Sequence, residues 1–373
     1  SPKDIPFMSV WLVCSYFSFT IFEKIVKKEN ISFFNIFLLS LSSAYLLSIR
    51  IAGVLILIQY LVSLIILISQ SKINTIFFIK KFYKKFFYFI ILLFLFIFIF
   101  YPIFWINPYL LIDTIKINAN HFNNVGTNTM GEIMYSKNLP STYLFLWFAV
   151  KIPLFILIGL ITIPFTEKKI FEDERKSIFF GTIILTIFLV LLILIINKVH
   201  LYDEIRQVMF LVPLIFICGL VSFFIFSKKL FYLFGVLTIF LFLTENIKIN
   251  PYQYVWFNLP SRAIDLSKNF ELEYQGISGR EISKNLKLIR NKNYCILANP
   301  IHSVKHFLND TNFTCYDIWQ KIDTNYERPF LAVQNVRNLK KSIPYKCFVI
   351  YETGFKLFFY EKKIITGRLL ECR

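Results

Sequence analysis

Apolar positions in this chain come in long unbroken runs. They do not follow the strict alternation of a half-buried strand or the spaced stripe of a surface helix. Eight runs stand out, at residues 6–22, 32–48, 51–69, 86–106, 143–164, 178–197, 207–226 and 230–246. About 20 apolar residues in helical form cross the hydrocarbon of a bilayer. The pattern therefore predicts an α-helical polytopic transmembrane domain over residues 1–246, with about eight spans. The second and third runs meet at Ser48-Ile49-Arg50 and can equally form one broken or re-entrant unit.

The pattern changes after residue 246. An amphipathic, helix-like stretch covers Arg280–Leu286, and short apolar runs follow at Tyr294–Ala298, Phe330–Val333, Cys347–Tyr351 and Phe355–Tyr360. Such runs, bounded by turn residues, read as strands. Residues 247–373 are expected to form a small α/β domain outside the membrane. The chain opens on Ser1-Pro2-Lys3-Asp4, without Met or a signal pattern. It reads as a fragment lacking its N-terminal spans and first exterior loop.

Composition agrees with this picture: 56% of residues are hydrophobic and 19% aromatic. The formal charge of +18 would suggest nucleic acid in a soluble domain. No RNA-binding signature, P-loop or zinc spacing accompanies it, and nucleic acid is not an expected partner. The basic residues instead alternate between loops. Lys24, Lys27 and Lys28, then Lys72 to Lys85, then Lys168 to Lys176, then Lys228 and Lys229 lie on one side, and the other side carries far fewer. The positive-inside rule puts the first set in the cytoplasm and the tail outside. The expected place is the inner membrane of a bacterial cell, with a periplasmic tail. Cys14 and Cys218 fall inside spans. Cys295, Cys315, Cys347 and Cys372 lie in the tail, where an oxidising compartment permits disulfides. The sequence does not choose among their three pairings.

Ionisable residues gather on the exterior face. Asp4 precedes the first span, Arg50 lies between the second and third, and His121 sits in the loop 107–142. Lys151 is inside a span, and Tyr202, Asp203 and Arg206 stand where two runs meet. Each has an ordinary reading: a helix cap for Asp4, a snorkelling side chain for Arg50 or Lys151, a solvated His121, a weak surface pair for Asp203 and Arg206. Together they suit a lipid-linked phosphate donor, because guanidinium and ammonium groups bind phosphate strongly and a carboxylate can take a proton.

Several stretches, in order along the chain, carry a family resemblance: Pro2-Lys3-Asp4-Ile5-Pro6-Phe7, Ser48-Ile49-Arg50-Ile51-Ala52-Gly53, Leu139 to Leu154, Leu201-Tyr202-Asp203-Glu204-Ile205-Arg206, Asn250 to Asn258, and Phe270 to Ser278. The chain resembles bacterial membrane glycosyltransferases of the GT-C fold, in the glycosyltransferase 39-like group. Protein O-mannosyltransferases and the lipid A aminoarabinose transferase belong there. The resemblance implies transfer of a sugar from a polyprenyl-phosphate donor to a lipid, glycan or protein acceptor at the exterior face, with inversion. It makes Asp4 and Asp203 the candidate catalytic residues. Arg50, His121, Lys151, Tyr202 and Arg206 become candidates for substrate binding. It places the main acidic base of the family upstream of Ser1. The chain departs from the family at Gln275, where a Trp is common, and at Gln207, where a His is.

Two other classes remain open. A flippase or transporter of lipid-linked saccharides would place ionisable groups near the midplane, within repeats. A non-catalytic anchor would only display the tail. No cofactor is required, and no ligand spacing demands a divalent metal.

Overall fold

The computed structural model describes residues 3–70, 75–107, 109–110, 113, 124–273, 275–288, 294–308, 315–318, 329–336, 343 and 346–373. His121 and Tyr274 lie outside these described residues. The chain divides into two compact units. One comprises residues 1–126, 135–148 and 154–235, and the other residues 127–134, 149–153 and 236–373.

The first unit is helical. Its elements are α1 (Asp4–Val26), α2 (Phe33–Ile49), a 3₁₀ turn (Ile51–Leu55) leading into α3 (Ile56–Gln70), and α4 (Thr75–Phe100). After α5 (Tyr143–Lys151) come α6 (Leu154–Ile161), α7 (Ile163–Phe171) and α8 (Glu174–Ile196). A second 3₁₀ turn (Arg206–Leu211) opens α9 (Val212–Phe226); α10 (Lys228–Lys248) follows, and its residues from Val236 on count with the second unit. Ser32 caps α2 by accepting from the Asn35 amide at 3.3 Å, and Asp173 caps α8 by accepting from Lys176 at 3.0 Å. Both satisfy a donor that a helix start leaves without an intrahelical partner.

Among the described residues six helical segments are long and apolar enough to cross a membrane: Asp4–Val26, Ile51–Gln70, Lys80–Phe100, Glu174–Ile196, Arg206–Phe226 and Lys228–Lys248. The count is seven if α5 and α6 form one bent span. α2, with 17 residues, is shorter. The expected straight span at 143–164 is not one. α5 and α6 meet at 117° across Ile152-Pro153. Pro153 has no amide proton and disfavours helical geometry in the residue before it.

α1 packs on α2 and α3, α2 on α4, and α3 on α8. Ile25, Ile31, Ile36, Leu67 and Ile178 close one cluster, and Ala44, Leu47, Leu93 and Ile97 another. Polar pairs sit within this packing. The Trp11 indole donates to Gln59 Oε1 at 3.0 Å, and Thr162 and Thr166 both bond the Ser222 hydroxyl. α6 crosses α9 at glycine. A Cβ on Gly159 would come within 2.1 Å of the Gly219 carbonyl oxygen. Small residues let apolar helices approach to backbone contact, where dispersion and hydrogen bonding replace a hydrophobic driving force. α4 and α10 are covered least by protein.

The second unit holds a five-stranded sheet in the order β4-β3-β5-β7-β6. The strands are β3 (Cys295–Ala298), β4 (Cys315–Ile318), β5 (Phe330–Asn335), β6 (Cys347–Phe355) and β7 (Ile364–Cys372). A separate hairpin pairs β1 (Gly126–Thr129) with β2 (Glu132–Tyr135). β3 is parallel to β4 and β5, and β7 is antiparallel to β5 and β6. Helix α11 (Ser278–Leu286) buries Ile282 and Leu286 against Ile296, Ala298, Leu331, Val333 and Leu369 on one face. Leu297, Phe330, Ala332 and Leu370 line the other. The alternation along β3, β5 and β7 thus feeds two apolar layers. Cys347 and Cys372, register partners at one end of β6 and β7, are disulfide-bonded. Cys295 is also disulfide-bonded, while Cys14 and Cys218 are free and buried.

Of the strand expected at Phe355–Tyr360, Phe355 ends β6 and the rest is the turn between β6 and β7. Leu357 and Tyr360 are buried there, whereas Phe359 is exposed and takes a left-handed φ of 55°. Leu357 and Tyr360 are drawn inward by packing, so an apolar run appears without an extended backbone.

Candidate functional site

Helices that alternate in direction bring distant residues to one end of a bundle. α1 starts at Asp4, α2 ends at Arg50, and the turn before α9 starts at Arg206. These three meet in the first unit. Arg50 Nη1 donates to Asp4 Oδ1 at 2.6 Å, and Arg206 Nε donates to Asp4 Oδ2 at 2.7 Å. Arg206 Nη1 also reaches Asp203 Oδ2 at 3.1 Å. One carboxylate therefore carries a guanidinium on each oxygen. Asp4 is only 4% exposed, while the Arg50 and Arg206 side chains keep 25% and 26% of their surface. The acid is enclosed and the arginine side chains are partly exposed.

Local structure explains each position. Asp4 lies in the first turn of α1, where the helix dipole favours an anion, but the flanking cap residue is Lys3. Its carboxylate is engaged by the two arginines, so the simple cap reading does not describe it. Arg50 stands at φ −152°, ψ 137°, extended between α2 and the 3₁₀ turn. Gly53 lets the chain fold back there, since a Cβ would lie 3.0 Å from the Leu46 backbone. The Arg50 guanidinium also sits 5.8 Å from the Phe7 ring centroid. Below it, Phe7, Trp11 and Phe210 pack ring on ring, with 5.3 Å between Phe7 and Phe210 and 4.4 Å between Trp11 and Phe210.

Asp203 and Glu204 have φ values of 56° and 67°. Left-handed backbone in residues with a Cβ costs about 1–3 kcal/mol each and clusters where function holds it. Both are buried, at 6% and 4%. The turn they make delivers Arg206 to Asp4. Tyr202 is half-buried just before it.

Lys151 belongs to the second unit. Its ammonium lies 4.0 Å from the Phe257 ring centroid and donates to the Tyr254 carbonyl at 3.3 Å. This arrangement fits a cation–π contact.

Other residues of the second unit have structural roles that the sequence does not indicate. Asn258 is fully buried, and its amide donates to the carbonyls of Ala149 at 2.6 Å and Ile152 at 2.8 Å. Its backbone N–H bonds the Val150 carbonyl at 2.9 Å. In an unbroken helix the Ala149 carbonyl would accept from residue 153, which is Pro153. Asn258 supplies the missing donor and so holds the break beside Lys151. A proline followed about a hundred residues later by an asparagine gives no local signal of this.

Glu245 and Arg262 form a second unforeseen pair. Arg262 Nη1 and Nη2 donate to the two Glu245 oxygens at 2.8 and 2.7 Å, with both residues buried. Glu273 is enclosed and accepts from the Tyr254 hydroxyl at 2.6 Å and the Ile277 amide at 2.9 Å, capping the approach to α11. Tyr252 stacks on Phe355 and donates to Glu281 at 2.7 Å. Burial holds its phenol above the ordinary range. Tyr252 and Phe257 are packing residues, 2% and 0% exposed.

Among the described residues no group of three or more His, Cys, Asp or Glu is placed to hold a metal. No family model, no curated protein and no solved structure matches the chain.

Proposed function

We propose that the chain belongs to a membrane glycosyltransferase that moves a sugar from a polyprenyl-phosphate-linked donor to an acceptor at the exterior face of a bacterial inner membrane. One observation carries this reading: Arg50 and Arg206 converge on the enclosed Asp4, and their side chains stay 25% and 26% exposed. Guanidiniums recognise phosphate through paired N–H donors. The basic loops at the opposite ends of the helices support the orientation.

In this reading Arg50 and Arg206 hold the phosphate of the donor. The acceptor hydroxyl or amine attacks the anomeric carbon. The bond from that carbon to the phosphate oxygen breaks, and its electron pair leaves with polyprenyl phosphate. The acceptor proton passes to a carboxylate. Asp4, with a cation on each oxygen, positions the arginines. Asp203 is the better placed of the two acids to take the proton. Phosphate must share the arginines with Asp4, so the site releases the product carrier readily.

The test is binding of undecaprenyl phosphate to the protein in lipid nanodiscs. Arg50→Ala and Arg206→Ala should each weaken it with unchanged membrane insertion. Wild-type affinity in both variants removes the phosphate role.

A further inference from the structure

We propose that the turn between β6 and β7 is a membrane anchor that seats Phe359 at the boundary between the lipid headgroups and the acyl chains, beside the end of α10; this rests on α10 being a membrane span. Phe359 is 77% exposed, while its neighbours in the turn, Leu357 and Tyr360, are 3% and 9% exposed. An outward aromatic at a left-handed φ of 55° is costly to place, and most of its surface lies outside protein contact.

The height of the turn is set by the chain itself. The Phe358 amide donates to Glu245 Oε1 at 2.6 Å, and Arg262 Nη1 donates to the Phe358 carbonyl at 2.5 Å. Glu245 lies in the last turn of α10, and Arg262 grips the same carboxylate. The Lys248 ammonium stands 4.8 Å from the Phe358 ring centroid. Phe359 follows at one Cα step, about 3.8 Å away. It is therefore level with the last turns of α10, where Leu243 and Ile247 are 56% and 78% exposed.

The occupant that fits is a lipid surface. Exposed apolar residues of α10 extend from Phe240 through Leu243 to Ile247. Lys356 and Lys363 are exposed on either side of Phe359, and together they outweigh the exposed Glu361 in charge. Aromatic rings with flanking lysines prefer this layer of a bilayer. Lys362 is held by Asp265 at 2.6 Å, which braces the turn from its far side.

The experiment uses the full chain in liposomes of phosphatidylethanolamine and phosphatidylglycerol. Phe359→Cys is labelled with a nitroxide, and collisions with oxygen and with a water-soluble nickel chelate are compared. Cys14 and Cys218 are buried and do not compete for the label. Phe240→Cys, at a lipid-facing position of α10 with 62% exposure, is the reference. The expected result is oxygen in excess at both positions, shallower at 359. Phe359→Trp should agree, with fluorescence quenched most by lipids brominated near the headgroup. Oxygen in excess at 240 with nickel in excess at 359 overturns the anchor and leaves the span reading standing. Nickel in excess at both overturns both.

Discussion

Removing the Asp4 charge separates two roles that a simple loss of activity would merge. Asp4→Asn keeps the shape but frees both guanidiniums from their shared counter-ion. Undecaprenyl phosphate binding should then be retained or strengthened, while sugar transfer falls by at least tenfold because the arginines are no longer oriented. Arg206→Ala should lose about 1.5–3 kcal/mol of phosphate binding, the range for a charge-assisted hydrogen bond. Equal losses of binding in both variants would argue that Asp4 only maintains the fold. A pH effect belongs at this scale too. The hydrogen bond from Lys362 holds the Asp265 carboxyl below its ordinary range. Its contribution is present above the ordinary carboxylate value of about 3.9 and is lost as pH falls through the lowered folded value. The thermal midpoint of Asp265→Asn should therefore fall less than that of the wild type on acidification below about pH 4. Asp4, Arg50 and Arg206 were legible because ionisable groups at the ends of apolar runs are conspicuous. Their shared contact was not, since 46 and 202 residues separate Asp4 from its partners. Glu245 and Arg262 were not legible at all, because a single acid near the end of an apolar run resembles any helix terminus.

At the scale of elements, the helices were read well and their interruptions less so. Hydrophobic runs mark α1, α3, α8, α9 and α10 because a long apolar helix needs no tertiary information to be recognised. The bend between α5 and α6 depends on Pro153 together with Asn258, and only the first is local. Asn258→Leu leaves the Ala149 and Ile152 carbonyls buried without that donor. It should destabilise the protein by about 1–3 kcal/mol per lost partner, seen as a lower midpoint in a thermal scan in detergent. The α6–α9 crossing makes a sharper prediction. Gly159→Leu drives a side chain into the Gly219 backbone and should cost about 1–3 kcal/mol or more, whereas Gly235→Ala, with its nearest contact at 3.4 Å, should be close to neutral. Size-exclusion profiles and thermal midpoints of the two variants test this pair. Among the strands, β3, β5 and β6 showed as apolar runs. β7 did not, because Thr366, Gly367 and Arg368 interrupt its pattern while the flanking strands still pair with it.

For the whole molecule, the change in composition near residue 246 pointed to a helical part and a sheet-bearing part. What stayed hidden is that residues 127–134 and 149–153 cluster with the tail. Segments so far apart in sequence are joined only by contacts such as the Asn128 carbonyl accepting from the Glu271 amide at 2.7 Å. The disulfide of Cys347 and Cys372 closes a loop with a separation of 25 residues. Its removal by Cys347→Ser with Cys372→Ser should cost the sheet about 3 kcal/mol by the loop-entropy estimate, read as earlier loss of protease resistance on warming. The place of β7 has a further consequence for biosynthesis. It lies between β5 and β6, yet both precede it along the chain. As the polypeptide emerges, β5 presents an open edge and Cys347 an uncommitted thiol until residues 364–372 arrive. The sheet thus stays unfinished, with a sticky open edge, until its last strand is made, and the Cys347–Cys372 disulfide can close only after that point.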